Sequence, residues 1–263
     1  MLINLQKEHP IIILNTSRTF GVAPCTIAGF SHAKGDAVVY MDSDLQDPPE
    51  LIEKLLLEFE RGFDVVHTVR DKRLGETKLR LFLTNLAYKI ISWFADISLP
   101  INSGDFKLIS RRALDKILEN KEYKPYVRGL SVWVGFNQTK VHYVRDPRAR
   151  GKSKAKLLSM PVIESFLTGI IAYSVRPLYF SIAFGFFSFF ISIFLIIYVL
   201  YLKFNNLTAF GSASILIFVS FFSGVILFSL GILGLYVARI FEQVIDRKKY
   251  IIKEVKEFKN KVL

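Results

Sequence analysis

Near its C-terminus the chain holds two stretches, residues 178–202 and 213–238, each about 25 residues long and without a charged side chain. As helices they would rise roughly 1.5 Å per residue and exceed the roughly 30 Å hydrocarbon core of a bilayer. Core helices of that length and apolarity are rare, so both are expected to span a membrane with some tilt. Whatever fold precedes them is thereby confined to a membrane surface. The flanking charges set an orientation. Arg145, Arg148, Arg150, Lys152, Lys154 and Lys156 come before the first span. Arg239, Arg247, Lys248, Lys249, Lys253, Lys256, Lys259 and Lys261 follow the second. Residues 203–212 between them carry one positive charge. The positive-inside rule therefore puts the N-terminal part and the C-terminal tail on the cytoplasmic side, as a two-span hairpin requires.

The N-terminal part is of another kind. The chain is 51% hydrophobic yet 22% charged over its 263 residues, which implies a composite of a polar domain and a membrane anchor. A net charge of +12 suits nucleic acid, anionic lipid or a phosphorylated substrate. No zinc-ligand spacing, RNA-binding signature or long basic arm supports a nucleic-acid partner. The single cysteine, Cys25, rules out an intramolecular disulfide and a cysteine-cluster metal site. His9, His32, His67 and His142 show no ligand spacing, and residues 1–9 contain no apolar run of the signal-peptide kind.

Apolar runs at 11–14, 37–40 and 63–70 read as strands, with helices over 24–32 and 49–61 between them. Strand–helix–strand–helix–strand at this spacing predicts a right-handed, mostly parallel α/β sheet. Residues 77–95 are apolar and aromatic over more than one packing stripe, which fits either a core helix or one lying against lipid. A helix over 111–120 and a strand over 139–144 complete the expected domain.

The second strand ends in Asp42-Ser43-Asp44-Leu45-Gln46-Asp47-Pro48-Pro49-Glu50. Carboxylates where a parallel strand ends lie where open α/β sheets bind ligands. Carboxylate and amide oxygens there suit a hard divalent ion such as Mg2+ or Mn2+. Taken alone, a D-x-D pair is as readily a solvated acidic turn before a helix.

The nine residues Asp42 to Glu50 resemble the metal-binding D-x-D-L-Q-D-P-P-E stretch of family-2 glycosyltransferases. More narrowly, the chain is similar to the polyprenyl-phosphate hexosyltransferases, relatives of dolichol-phosphate mannosyltransferase. Further likenesses are Ser103-Gly104-Asp105-Phe106, Arg128-Gly129-Leu130 running on to Trp133-Val134-Gly135-Phe136, and Arg150, Lys152, Ser153 and Lys154, which resemble the family's R-x-G-x-S-K loop. The resemblance implies a GT-A-like, Rossmann-like fold over residues 1–150. A basic loop and interfacial helix over 151–177, spans over 178–202 and 213–238, and a basic cytoplasmic tail over 239–263 would follow. It implies a Mg2+ or Mn2+ ion held by Asp42, Asp44 and Gln46. Asp105 would act on the acceptor, with Asp44 also at the reacting centre. Arg70 and Arg128 would meet the diphosphate, and Arg150, Lys152, Ser153 and Lys154 the lipid phosphate.

The function implied is transfer of a hexose from a UDP- or GDP-linked sugar to a polyprenyl phosphate on the cytoplasmic face of the cell membrane. Partners would be the nucleotide sugar, the polyprenyl phosphate and the bilayer, with the chain acting alone or as a homo-oligomer. Family members open with a strand of the I-P-x-Y-N-E type, then a helix, a second strand and a D-D-G-S turn. Residues 1–9 align with the helix after that turn. The resemblance therefore implies a catalytic domain lacking its N-terminal, nucleotide-binding part, with impaired activity. The alternative is a non-catalytic membrane subunit or decayed copy that keeps the fold. A phosphotransferase of the haloacid-dehalogenase type, which also begins with strand and D-x-D, would continue D-x-D-G-T, unlike Leu45-Gln46 here.

Overall fold

The computed structural model describes residues 9–44, 46–73, 78–94, 100, 102–145, 160–205 and 211–257. The chain divides into two compact units, residues 1–169 with 246–263, and residues 170–245.

In the first unit, β1 (Ile13–Thr16) and α1 (Val22–His32) lead to β2 (Ala37–Tyr40) and α2 (Leu51–Glu60). Then come β3 (Val65–Arg73), α3 (Lys78–Phe94), β4 (Ser103–Ser110), α4 (Arg111–Glu119), α5 (Val127–Trp133) and β5 (Gln138–Arg145). The local chemistry explains the boundaries. Pro48-Pro49 cannot extend a strand and precedes α2. That helix stops at Gly62, whose φ of +96° is costly for any residue with a Cβ. The Ser110 hydroxyl caps α4, accepting a 3.3 Å hydrogen bond from the Ala113 amide.

The central sheet has the order β2-β4-β3-β5. β4 pairs antiparallel with both β2 and β3, whereas β3 and β5 pair parallel. β2, β3 and β5 therefore share one direction, in keeping with the expected mostly parallel sheet, and β4 runs against them from the middle. Side chains alternate between two apolar layers. Val65 and Ile109 pack with Ile27, Phe30, Leu114, Ile117 and Leu130 from α1, α4 and α5. On the other face Val66, Phe106 and Leu108 pack with Leu51 and Leu55 of α2. The sheet is thus covered by helices on both faces, and the fold is GT-A-like.

The first strand departs from the expected arrangement. β1 joins no strand of the central sheet but pairs antiparallel with β6 (Ile252–Lys256), a strand within the region read as a basic tail. The Ser17 amide donates to the Ile251 carbonyl at 2.9 Å, and the Lys249 ammonium donates to the Asn120 carbonyl at 2.5 Å. Ile252 and Val255 are three residues apart among lysines and a glutamate, so the stretch shows no period-2 alternation that would have marked it as a strand.

Most of the stretch 77–95 forms helix α3, which is buried only in part. Ile91 is buried, but Phe82, Leu86 and Trp93, at helical spacing along one face, are exposed. After α6 (Met160–Ile171), the second unit holds α7 (Arg176–Phe204) and α8 (Ser212–Val244). Pro177 sits in the first turn of α7, where its missing N–H costs nothing. Within these two helices, Arg176–Phe204 and Ile217–Val244 are long and apolar enough to cross a membrane, and their side chains face outward. Phe184 and Phe228 meet edge to face at 5.8 Å, joining the pair.

Candidate active site

Strand register assembles the site. Tyr40 of β2 lies opposite Lys107 of β4, and continuing that antiparallel register by two residues sets Asp42 across from Asp105. On β5, Tyr143 lies beside Arg70 of β3. Asp42, Arg70 and Tyr143 therefore all stand at the C-terminal ends of the three like-directed strands. Asp105 sits near the start of the opposed one.

The loop after β2 presents Asp42 and Asp44, both partly buried. The Gln46 amide donates to Asp44 Oδ1 at 3.2 Å, closing a tight turn. Burial, with the like charges of Asp105, Asp44 and Asp47, pushes the Asp42 carboxyl above its ordinary pKa. The third acid of the motif is different. Asp47 is fully buried and accepts from Arg70 Nη2 at 3.2 and 3.3 Å and from the Tyr143 hydroxyl. Arg145 Nε lies 3.4 Å away.

Asp105 and Arg128 form a two-pronged ion pair, Nε to Oδ1 at 2.7 Å and Nη2 to Oδ2 at 2.5 Å. About a quarter of the Asp105 side chain (24%) and a third of Arg128 (32%) remain open to solvent. Burial alone would raise the Asp105 carboxyl. The charge and hydrogen bonds of Arg128, with Lys107 and Arg70 beyond, bring it down to about 2. Behind the pair, buried Lys107 donates to the Ser131 hydroxyl at 2.9 Å, which donates to the Arg128 carbonyl at 2.9 Å. Burial pulls the Lys107 ammonium down to about 8 against the favourable charge of Asp105. Tyr40 is pushed up to about 12 by burial and by Asp105, so its hydroxyl stays neutral.

The structure thus brings together Asp42, Asp44, Gln46, Asp105, Arg128 and Arg70. Arg70 is 7% exposed, with its guanidinium on Asp47 and the Tyr143 hydroxyl (Nε at 2.9 Å) rather than at the open rim. Arg150, Lys152, Ser153 and Lys154 lie outside the described residues. Sequence reasoning missed Tyr143, Lys107 and Ser131. Tyr143 lies on a stretch read only as strand, where the alternation that turns it inward was the available signal; Lys107 and Ser131 lie in stretches to which no element was assigned.

The donor set can be tested against a divalent ion. Among the described residues no group of three His, Cys, Asp or Glu converges on one point. Asp47 is taken up by Arg70 and Tyr143. Asp42 and Asp44 remain, on one loop, with like charge to be offset. Mg2+ is commonly held by one or two carboxylates plus waters and substrate phosphate oxygens, so the pair fits such an ion.

Residues 2–118 match the model of the family described as glycosyl transferase family 2. Over 99% of its length the chain is 38% identical to the uncharacterized glycosyltransferase YkcC of Bacillus subtilis, covering 82% of that protein. It is 35% identical to the bactoprenol glucosyl transferase of Shigella phage SfII, over 95% of this chain and 81% of the relative. For the enzyme of that name from Shigella phage SfV the identity is 34%, over 96% and 82%. A helix-covered mixed sheet, with acidic side chains gathered at its strand ends and this likeness along nearly the whole chain, places the protein in glycosyl transferase family 2, as a glycosyltransferase.

Proposed function

We propose that this chain moves one hexose from a UDP- or GDP-linked sugar to a polyprenyl phosphate at the cytoplasmic face of the cell membrane. The observation that carries the reading is the Asp105–Arg128 pair beside Asp42 and Asp44. A carboxylate held near pKa 2 is a poor base for a sugar hydroxyl. It suits an acceptor that arrives already ionised, which a phosphate monoester largely is near neutral pH, its second pKa being about 6. The names of the phage relatives, bactoprenol glucosyl transferase, agree with a lipid acceptor.

In this scheme Asp42 and Asp44, with Gln46, hold Mg2+ or Mn2+. When bound, the ion would offset the diphosphate charge of the donor. Arg128 stands at the rim to meet phosphate oxygens, and Asp105 fixes its fork in one plane. Arg70 adds positive charge from behind. An acceptor phosphate oxygen bonds to the anomeric carbon, the bond from that carbon to the diphosphate breaks, and the nucleoside diphosphate leaves with the electron pair. No proton transfer to the protein is required.

Two further parts rest on composition and exposure. The helices α7 and α8 span the bilayer, with the basic flanks on the cytoplasmic side. The exposed face of α3, Phe82, Leu86 and Trp93, lies on the same membrane surface. Arg150, Lys152, Ser153 and Lys154 bind the lipid phosphate.

The test is transfer from labelled UDP- and GDP-sugars to undecaprenyl phosphate by the purified full chain with Mg2+. Asp42→Asn is expected to abolish transfer while the protein stays folded, and Arg150→Ala with Lys152→Ala to raise KM for the lipid phosphate only. Retained transfer in folded Asp42→Asn rejects the metal role. An equal effect of the double variant on both substrates rejects the lipid assignment. Absence of any sugar-nucleotide binding would favour a non-catalytic subunit.

A further inference from the structure

The D-x-D loop is fastened from behind by a buried polar knot. Asp47 has no exposed surface, and its two oxygens receive Arg70 Nη2, the Tyr143 hydroxyl and the charge of Arg145. Arg70 Nε in turn donates to the Tyr143 oxygen at 2.9 Å. The Arg70 amide donates to the Asn102 carbonyl at 3.2 Å. The guanidinium then lies over Gly104, where a Cβ would meet Nη2 and force Arg70 to shift. One cluster thus ties the end of the carboxylate loop to β3, to β5 and to the backbone just before Asp105.

We propose that Asp47 and Tyr143 are positioning residues, which through Arg70 lock the loop carrying Asp42 and Asp44 at a fixed place beside Asp105. The proposal rests on the reading of the site given above. A carboxylate kept wholly from solvent by three partners is a poor ligand itself. Its value is that Asp42 and Asp44 lie five and three residues before an immovable point. Such supporting groups commonly matter by about 10- to 100-fold in metal affinity or activity. Tyr143→Phe is the informative change, because it removes one hydroxyl and keeps the ring that packs with Leu51 and Phe106.

The test uses the full chain in detergent with Mn2+ as probe. Three quantities are measured for wild type, Tyr143→Phe and Asp47→Asn: Mn2+ affinity by electron paramagnetic resonance, hydrogen exchange of the amides of residues 43–46, and kinetics with donor and acceptor varied separately. Both variants should bind Mn2+ about 10-fold more weakly, exchange the loop amides faster, and raise KM for the nucleotide sugar with that for the lipid phosphate within about twofold. A mere loss of stability would lower Tm and leave that split unmoved. Wild-type Mn2+ affinity, loop exchange and donor KM in folded Tyr143→Phe would overturn the proposal. If wild type neither binds Mn2+ nor transfers sugar, the functional reading fails by itself. Loop exchange then still decides the positioning claim: faster exchange in the variants upholds it and unchanged exchange refutes it.

Discussion

His67 on β3 faces Lys107 on β4, and both are buried. Gln138 spends its amide nitrogen on the carbonyls of Ser131, Val132 and Gly135, which leaves Oε1 to accept from His67 Nε2 at 2.9 Å. His67 is therefore the Nε2–H tautomer, and among the described residues Nδ1 has no hydrogen-bond partner. Burial, and then the Lys107 charge, bring its pKa down from 6.5 to about 4. A histidine lowered in the fold contributes stability fully above pH 6.5, and that stability is lost as pH falls toward 4. The difference of about 2.5 units corresponds to roughly 3 kcal/mol. Thermal unfolding of the detergent-solubilised chain should show Tm dropping between pH 6.5 and 4.5. His67→Gln should flatten that drop, and an equally steep decline in the variant would disprove the assignment. At this scale Asp42, Asp105 and Arg128 were legible because each sits in a recognisable short motif. The partnership of Asp47 with Tyr143 was not, since the two are 96 residues apart and meet only once the sheet order β2-β4-β3-β5 is formed.

Among the elements, β1, β2, β3, β5, α1, α2 and α4 followed from apolar runs, proline and glycine, whereas β4, α5 and the strand order did not. β4 enters antiparallel between β2 and β3, a placement that depends on where α3 delivers the chain. That one choice is what sets Asp105 across from Asp42. β6 was hidden for a different reason: Lys253, Glu254 and Lys256 make it look like solvated tail, although an edge strand tolerates charge well. Pairing with β1 gives those residues a structural duty. Truncation after Tyr250 should leave β1 unpaired and speed trypsin cleavage at the exposed Arg18 in the otherwise folded chain. Each kcal/mol lost should lower Tm by about 2–4 °C for a domain of 150–250 residues. An unchanged cleavage rate at Arg18 would show that β6 adds nothing to β1.

At the scale of the molecule, composition alone suggested a composite, and the chain divides into two compact units. The orientation argument can be checked with the chain's single cysteine. Cys25 is exposed on α1, so in intact cells it should resist an impermeant thiol reagent that labels it after lysis. A cysteine at Asn205, between the spans, in a Cys25→Ser background should be labelled without lysis. Labelling of Cys25 in intact cells, or protection at Asn205, would reverse the orientation. The β1–β6 pairing also sets an order of manufacture. Its partners are separated by the sequence from Thr16 to Ile252, which includes both apolar helices. At about 5–20 residues per second, the ribosome makes the second strand roughly 10 to 50 s after the first. Both hydrophobic helices are synthesised in that interval, so β1 receives its partner strand only after both long apolar helices have been made.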